Sequence, residues 1–230
     1  MAKGSADATD RELRIATGAG TVTGLLHRPA GARWLLVLAH GAGAGIRHRF
    51  FEVLVPLLGA RGMATLRYQF PYLEGGRRRP DPPPVAHRAV RDAVTAAAEH
   101  AGDLPLLAGG KSFGGRMTSQ TQAEAPLPGV RGLVFLGFPL HAAGKPDDRR
   151  AEHLARVEIP MLFVQGTRDT LAFLDQLRPV VTALGARGAL TVIEGGDHSF
   201  AVPKSAGRSA EEVLGEVADA VARWAEVVTA

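Results

Sequence analysis

Leu104-Pro105-Leu106-Leu107-Ala108-Gly109-Gly110-Lys111-Ser112-Phe113-Gly114-Gly115-Arg116 is the stretch on which the reading of the fold turns. Residues 104–108 have the length and apolar character of a buried strand, and a helix is expected over 114–123. Between them, Gly110-Lys111-Ser112-Phe113-Gly114 matches the pattern G-x-S-x-G in the strand–turn–helix context that gives it meaning. The turn is so tight that its central residue sits in strained backbone, and side chains two positions to either side would collide. Glycines 110 and 114 meet that demand, and Gly109 and Gly115 add room. The same turn lifts the Ser112 hydroxyl over a helix N-terminus, whose dipole favours developing negative charge.

Three other readings compete. Ser112 could be no more than a helix cap. A phosphate-binding loop also ends in Gly-Lys-Ser, but it needs a glycine five residues before Gly110, where Pro105 stands. A dinucleotide fingerprint is hinted at by Gly41-Ala42-Gly43-Ala44-Gly45. Its spacing is not G-x-G-x-x-G, and the strand expected over 63–67 ends at Arg67 without the acidic residue that fingerprint requires.

Working outward, residues 12–17 and 21–27 alternate on either side of Gly18-Ala19-Gly20 and read as an antiparallel hairpin. Apolar runs at 34–39, 63–67, 104–108, 132–136, 161–165 and 190–193 read as strands, and helices are expected at 50–58, 85–100, 114–123, 147–155, 171–184 and 210–228. Strands alternating with helices imply a mostly parallel sheet with helices on both faces, made mixed at one edge by the hairpin. Residues 1–10 read as a disordered tail and 11–230 as a single domain. The segment 75–84, rich in Arg and Pro, reads as an extended, exposed loop. No long insertion separates the strands at 132–136 and 161–165, so no separate lid domain is expected and the site should be open.

A serine hydroxyl is a poor nucleophile unless a base takes its proton, and the base must be held in the correct tautomer. In the strand–elbow–helix setting the partners follow the serine in the order acid, then histidine, on loops after later strands. Asp169 lies just beyond 161–165, and His198 just beyond 190–193, on the same rim as Ser112. Asp175 falls inside the expected helix 171–184, and Asp197 would point away from the imidazole if its loop is extended. His27, His87, His100 and His153 read as surface positions. Tetrahedral intermediates need preorganised donors. The N–H of Phe113 is one, and the second is expected from the loop after 34–39, from Ala42 or alternatively Gly41. His40 is expected to brace that loop. Lys111 is given no role, its side chain being expected to point elsewhere.

Composition narrows the classes. The 230 residues contain no cysteine, which removes disulfides, thiolate metal sites and a cysteine nucleophile together. The net charge of +4 is mildly basic, with a cluster at Arg77-Arg78-Arg79, yet no nucleic-acid-binding motif accompanies it and no nucleic-acid partner is expected. The N-terminus lacks an apolar signal region and no run is long enough to span a bilayer, so a soluble, cytoplasmic protein with no membrane partner is the default. No metal or organic cofactor is expected, since no His/Asp/Glu cluster shows ligand spacing.

Seven motifs carry a family resemblance: His40-Gly41-Ala42-Gly43-Ala44-Gly45, Phe70-Pro71-Tyr72, Arg78-Arg79-Pro80, Gly109 through Arg116, Gly137-Phe138-Pro139-Leu140-His141, Gln165-Gly166-Thr167-Arg168-Asp169 and Asp197-His198-Ser199-Phe200. From about Arg33 to the C-terminus the chain resembles the KANL3/Tex30-type α/β-hydrolases, which are related to the dienelactone-hydrolase group. The resemblance implies the α/β-hydrolase fold and the assignment Ser112, Asp169 and His198. It also marks His48, Tyr72, Pro139 and His141 as pocket candidates, while Arg116 is expected to brace the sheet or a loop. The function expected is a serine hydrolase acting on small to medium carboxylic esters or thioesters through an acyl-Ser112 intermediate. Within the class the alternative is an amidase or peptidase. Because some eukaryotic members of the family serve in protein complexes, the alternative from another class is an idle scaffold used as an interaction module. Oligomeric state and physiological substrate are left open.

Overall fold

The computed structural model describes residues 9–142, 144–145 and 147–230. Trp34–Ala39 forms β3, and all six of its residues are buried. A strand this apolar must be covered on both faces, because its side chains point alternately to each. On one face Trp34, Leu36 and Leu38 pack in a cluster with Phe51 and Leu54 of α1 (Arg49–Gly59) and Val213 and Val217 of α6 (Ala210–Thr229). On the other, Leu35, Val37 and Ala39 join Val90 and Ala93 of α3 (Pro83–Ala101) and Met117 of α4 (Phe113–Glu124).

The remaining strands are β1 (Arg11–Thr17), β2 (Gly20–His27), β4 (Met63–Tyr68), β5 (Leu106–Lys111), β6 (Val130–Leu136), β7 (Met161–Gly166) and β8 (Gly188–Ile193). Among the described residues they form one eight-stranded sheet in the order β1-β2-β4-β3-β5-β6-β7-β8. β1 and β2 form the antiparallel hairpin, β2 runs antiparallel to β4, and every pairing from β4 to β8 is parallel. The chain leaves β3 toward β4 on one side and returns to β5 on the other. Such a reversal opens a crevice at the carboxyl ends of the two strands, the usual ligand position in open α/β sheets. The Gly41 loop follows β3 and Ser112 follows β5, so both flank this crevice.

Several local expectations are corrected. The strand expected over 104–108 is Leu106–Lys111, because the glycines at its end are demanded by packing: a Cβ on Gly109 would overlap the backbone of Val134. The helix expected over 147–155 is a 3-10 helix, Arg149–Arg156, and the longer helix expected from 171 is α5 (Leu174–Ala183), with Phe173 at its N-cap position. A short helix, α2 (Pro71–Glu74), was not anticipated. In the loop after it, Arg77, Arg78 and Arg79 are exposed as expected, but Asp81 is buried, accepting from the Tyr72 amide and from Arg77.

Three histidines expected at the surface are buried: His27, His87 and His153. Each has a polar partner that offsets its desolvation, respectively Asp10, Glu124 and the Ser119 hydroxyl. Of the tail expected over 1–10, residues 1–8 lie outside the described residues. Asp10 is described, and its carboxylate pairs with the buried Arg67 guanidinium as well as with His27.

Candidate active site

Ser112 joins β5 to α4 with φ 49 and ψ −114. A non-glycine residue in that region carries a cost of about 1–3 kcal/mol, maintained only where the surroundings over-determine it. Here they do. A Cβ on Gly114 would lie 2.6 Å from the carbonyl oxygens of both Ala39 and His40, and one on Gly115 would lie 2.8 Å from that of Gly110. The glycines therefore let α4 start directly against β3 and β5, and the turn between must be abrupt.

Two further loops bring their side chains to the serine. His198 Nε2 lies 2.8 Å from Ser112 Oγ, and His198 Nδ1 lies 2.7 Å from Asp169 Oδ2. A carboxylate only accepts, so the Nδ1 position carries the imidazole proton and Nε2 is left to accept from the hydroxyl. Asp169 is 1% exposed and fully committed: Oδ2 also accepts from Gln165 Nε2 at 2.5 Å, and Oδ1 accepts from the Leu171 amide at 2.8 Å. Gln165 in turn accepts from the Phe138 amide at 2.9 Å, which fixes the orientation of its amide group. The His198 loop is a turn rather than extended, shaped by Asp197, whose Oδ1 accepts from the Ser199 and Ala201 amides and is thereby engaged with its own loop.

The loop after β3 is braced from beneath. His40 is completely buried, donates from Nδ1 to the Gly41 carbonyl at 2.8 Å and accepts at Nε2 from the Phe70 amide at 3.0 Å. The Tyr72 hydroxyl accepts from the Gly43 amide at 3.2 Å, and the Ala44 amide donates to the Gly41 carbonyl. The Ala42 amide has no such partner among the described residues. The Phe113 amide opens a helix and has no preceding helical carbonyl to meet. Donors at these two positions suit an oxyanion beside Ser112.

Burial pushes His40 down from 6.5 to about 4, against the opposing pull of its bond to Gly41. Between these values the unfolded chain binds a proton that the native chain refuses, so stability rises with pH through this window and is lost as pH falls. The loss attributable to His40 should reach about 3 kcal/mol by pH 4. Unfolding curves at pH 7 and near pH 4.5 check this, and His40→Asn should flatten the slope. His153, also lowered to about 4 by burial, acts in the same direction.

A cavity of about 320 Å³ opens over the serine, walled by Gly41, Ala42, Ala44, His48, Phe50, Phe51, Lys111, Ser112, Leu171, His198 and Ser199. Of the pocket candidates, His48 belongs to this wall and also caps α1, its side chain accepting from the Phe50 amide. Tyr72, Pro139 and His141 do not. Tyr72 and His141 are completely buried, the first supporting the Gly43 amide and the second packing on Phe173, while Pro139 lies buried one residue beyond the Phe138 amide that Gln165 accepts from. The resemblance marked all four, and of them His48 alone stands in the wall.

Lys111 is a correction in the opposite sense. Its side chain lines the cavity and donates to the His198 carbonyl at 2.6 Å. Gln165, Phe50, Phe51 and Leu171 were not singled out either. Gln165 lies four residues before Asp169 in the quoted motif, the one signal that pointed to it. Arg116 extends over the Phe113 ring, with its guanidinium carbon 6.0 Å from the centroid. No residue between β6 and β7 contributes to the cavity wall among the described residues, as the short connection implied.

A family model described as an alpha/beta hydrolase domain matches residues 32–226. The chain belongs to this family. Among curated proteins, this α/β-hydrolase is 28% identical over 201 residues to proteins of two Mycobacterium tuberculosis strains that are provisionally named phosphoribosyl transferases. The match takes in 84% of this chain and 43% of theirs, so the chain spans less than half the length of these relatives. Among solved structures it is similar to a dienelactone hydrolase from Anabaena variabilis, with a TM-score of 0.75 and 22% identity over 96% of this chain and 99% of that one. It is similar also to an α/β serine hydrolase homologue from Coxiella burnetii, with a TM-score of 0.73 and 20% identity over 94% and 97% of the two chains. A lidless α/β serine hydrolase from Xanthomonas campestris gives 0.71 and 16% over 96% and 98%. At these identities the likeness is one of fold. Among the described residues of this α/β-hydrolase no helix is long and apolar enough to cross a membrane.

Proposed function

We propose that this chain is a serine hydrolase of the KANL3/Tex30 type that cleaves small to medium carboxylic esters or thioesters through an acyl-Ser112 intermediate, in the cytoplasm. The observation that carries the reading is the unbroken relay from Ser112 Oγ to His198 Nε2 at 2.8 Å and from His198 Nδ1 to Asp169 Oδ2 at 2.7 Å. Oγ attacks the substrate carbonyl while Nε2 takes its proton, and the carbonyl oxygen becomes an alkoxide held by the Phe113 and Ala42 amides, with Gly41 the alternative to Ala42. Collapse of the alkoxide breaks the bond to the leaving group, which takes the proton back from Nε2. Water then attacks the acyl-serine, giving its proton to the same nitrogen, and the acid leaves as Oγ is reprotonated. Throughout, Asp169 holds the Nδ1 proton and stabilises the imidazolium without itself being protonated.

The cavity supports small to medium substrates. Its volume of about 320 Å³ is at the lower end of the range for ligand sites, and its apolar walls, Phe50, Phe51 and Leu171, suit a short acyl chain. The transferase activity named for the mycobacterial relatives does not enter this reading, since the chain spans 43% of those proteins. The test is a series of acyl esters and thioesters of increasing chain length, run beside a fluorophosphonate probe, with Ser112→Ala as control. Turnover that declines with chain length, together with labelling at Ser112, is the result expected. A folded chain that resists the probe would favour the scaffold reading, and turnover of amides over esters would favour the amidase.

A further inference from the structure

We propose that Lys111 is a positioning residue of the relay: its ammonium, beside the stacked rings of Phe50 and Phe200, grips the carbonyl of His198 and so holds the imidazole within reach of Ser112. The inference rests on the serine-hydrolase reading above. Lys111 is 8% exposed, its Nζ donates to the His198 carbonyl at 2.6 Å, and the same atom lies 5.9 and 5.8 Å from the ring centroids of Phe50 and Phe200. The bonds that Asp197 makes are local: they shape the His198 loop but do not place it relative to β5. The Lys111 bond does, joining the elbow to the base across 87 residues of sequence.

An ammonium buried here with no carboxylate in ion-pair contact among the described residues is a costly choice for mere packing. The charged and titratable groups facing it are Asp169 from the loop after β7, Asp197 and His198 from the loop after β8, and His48 at the start of α1. Of these, the Asp169 oxygens are already committed to Gln165, Leu171 and His198. Burial pushes Lys111 down to about 8, with Asp169 and Asp197 pulling the other way. A charge-assisted bond to a carbonyl weakens when the charge is lost. The grip therefore slackens as pH rises past about 8, and activity falls with it.

Lys111→Met keeps an unbranched chain one atom shorter and removes the charge, whereas Lys111→Arg keeps the charge to higher pH. The methionine variant is expected to fold with a Tm near the parent's. It should lose about a hundred-fold in kcat and in the rate of fluorophosphonate labelling, the scale of an ångström's misplacement, with KM little changed. The arginine variant should carry its activity further into alkali than the parent. By NMR, the low-field proton of the His198–Asp169 hydrogen bond should broaden in Lys111→Met, and in the parent as pH passes about 8. A folded Lys111→Met that labels at the parent's rate overturns the proposal, and so does an alkaline limb that stays in place in Lys111→Arg. If neither variant folds, the parent's own resonance decides, and its persistence unchanged through alkaline pH overturns the proposal. If the parent neither hydrolyses esters nor takes the probe, the hydrolase reading fails, and the same resonance still judges Lys111 separately.

Discussion

Asp169→Asn is expected to lower kcat by about ten-thousand-fold while leaving the chain folded. The carboxylate accepts three hydrogen bonds, from Gln165 Nε2, the Leu171 amide and His198 Nδ1. Gln165 cannot turn to offer an acceptor instead, because its own oxygen is held by the Phe138 amide. An asparagine amide has one donating end and must aim it somewhere. Aimed at Oδ2's position, it faces the donors of Gln165 and His198, and the imidazole answers by moving its proton to Nε2, where it can no longer accept from Ser112. Aimed at Oδ1's position, it faces the Leu171 amide, and the loss appears as stability, about 1–3 kcal/mol for a buried donor left unmatched. Steady-state kinetics on the best ester, with Tm measured alongside, separates the two. A drop in kcat of less than ten-fold in a folded variant would remove Asp169 from the relay.

Gly114→Ala is expected to cost about 3 kcal/mol, the upper range for forcing one methyl into a packed interior. For a chain of this size that lowers Tm by roughly 6–12 °C. The added Cβ would sit 2.6 Å from two carbonyl oxygens, and both belong to backbone that cannot step aside as a flexible side chain would. Relief requires α4 to move away from the end of β3, which carries the Phe113 amide away from the Gly41–Ala42 loop, so slower labelling of Ser112 should accompany the lower Tm. Gly215→Ala in α6 is the control. Its nearest neighbour would be an Arg61 nitrogen 3.8 Å away, and in a helix interior alanine is favoured over glycine by about 1 kcal/mol. Thermal unfolding of both variants is the measurement, and equal Tm values would contradict the packing argument.

The parallel core was legible because β3 is apolar at every position, a pattern that only two-sided burial produces. The elbow was legible because the steric demand falls on backbone, and glycine is the one residue that answers it. Asp169 and His198 could be found because the fold fixes which strand ends face the same rim. What sequence could not convey was the direction of side chains within that rim. Lys111 and Ser112 are consecutive, yet both meet His198, Lys111 at its backbone carbonyl and Ser112 at its imidazole. Tyr72 and His141, at equally suggestive positions, turn inward and are sealed. Likewise His27, His87 and His153 are buried because each meets a partner distant in sequence, which a local reading has no means to supply.

The backbone at residue 112 carries a lasting consequence. Held at φ 49, it occupies a conformation that glycine would adopt at no steric penalty and that serine adopts only under constraint. Endurance and chemistry thus pull this one codon in opposite directions. On the proposed hydrolase reading, Ser112→Gly would relieve this backbone strain and remove the nucleophile in the same step.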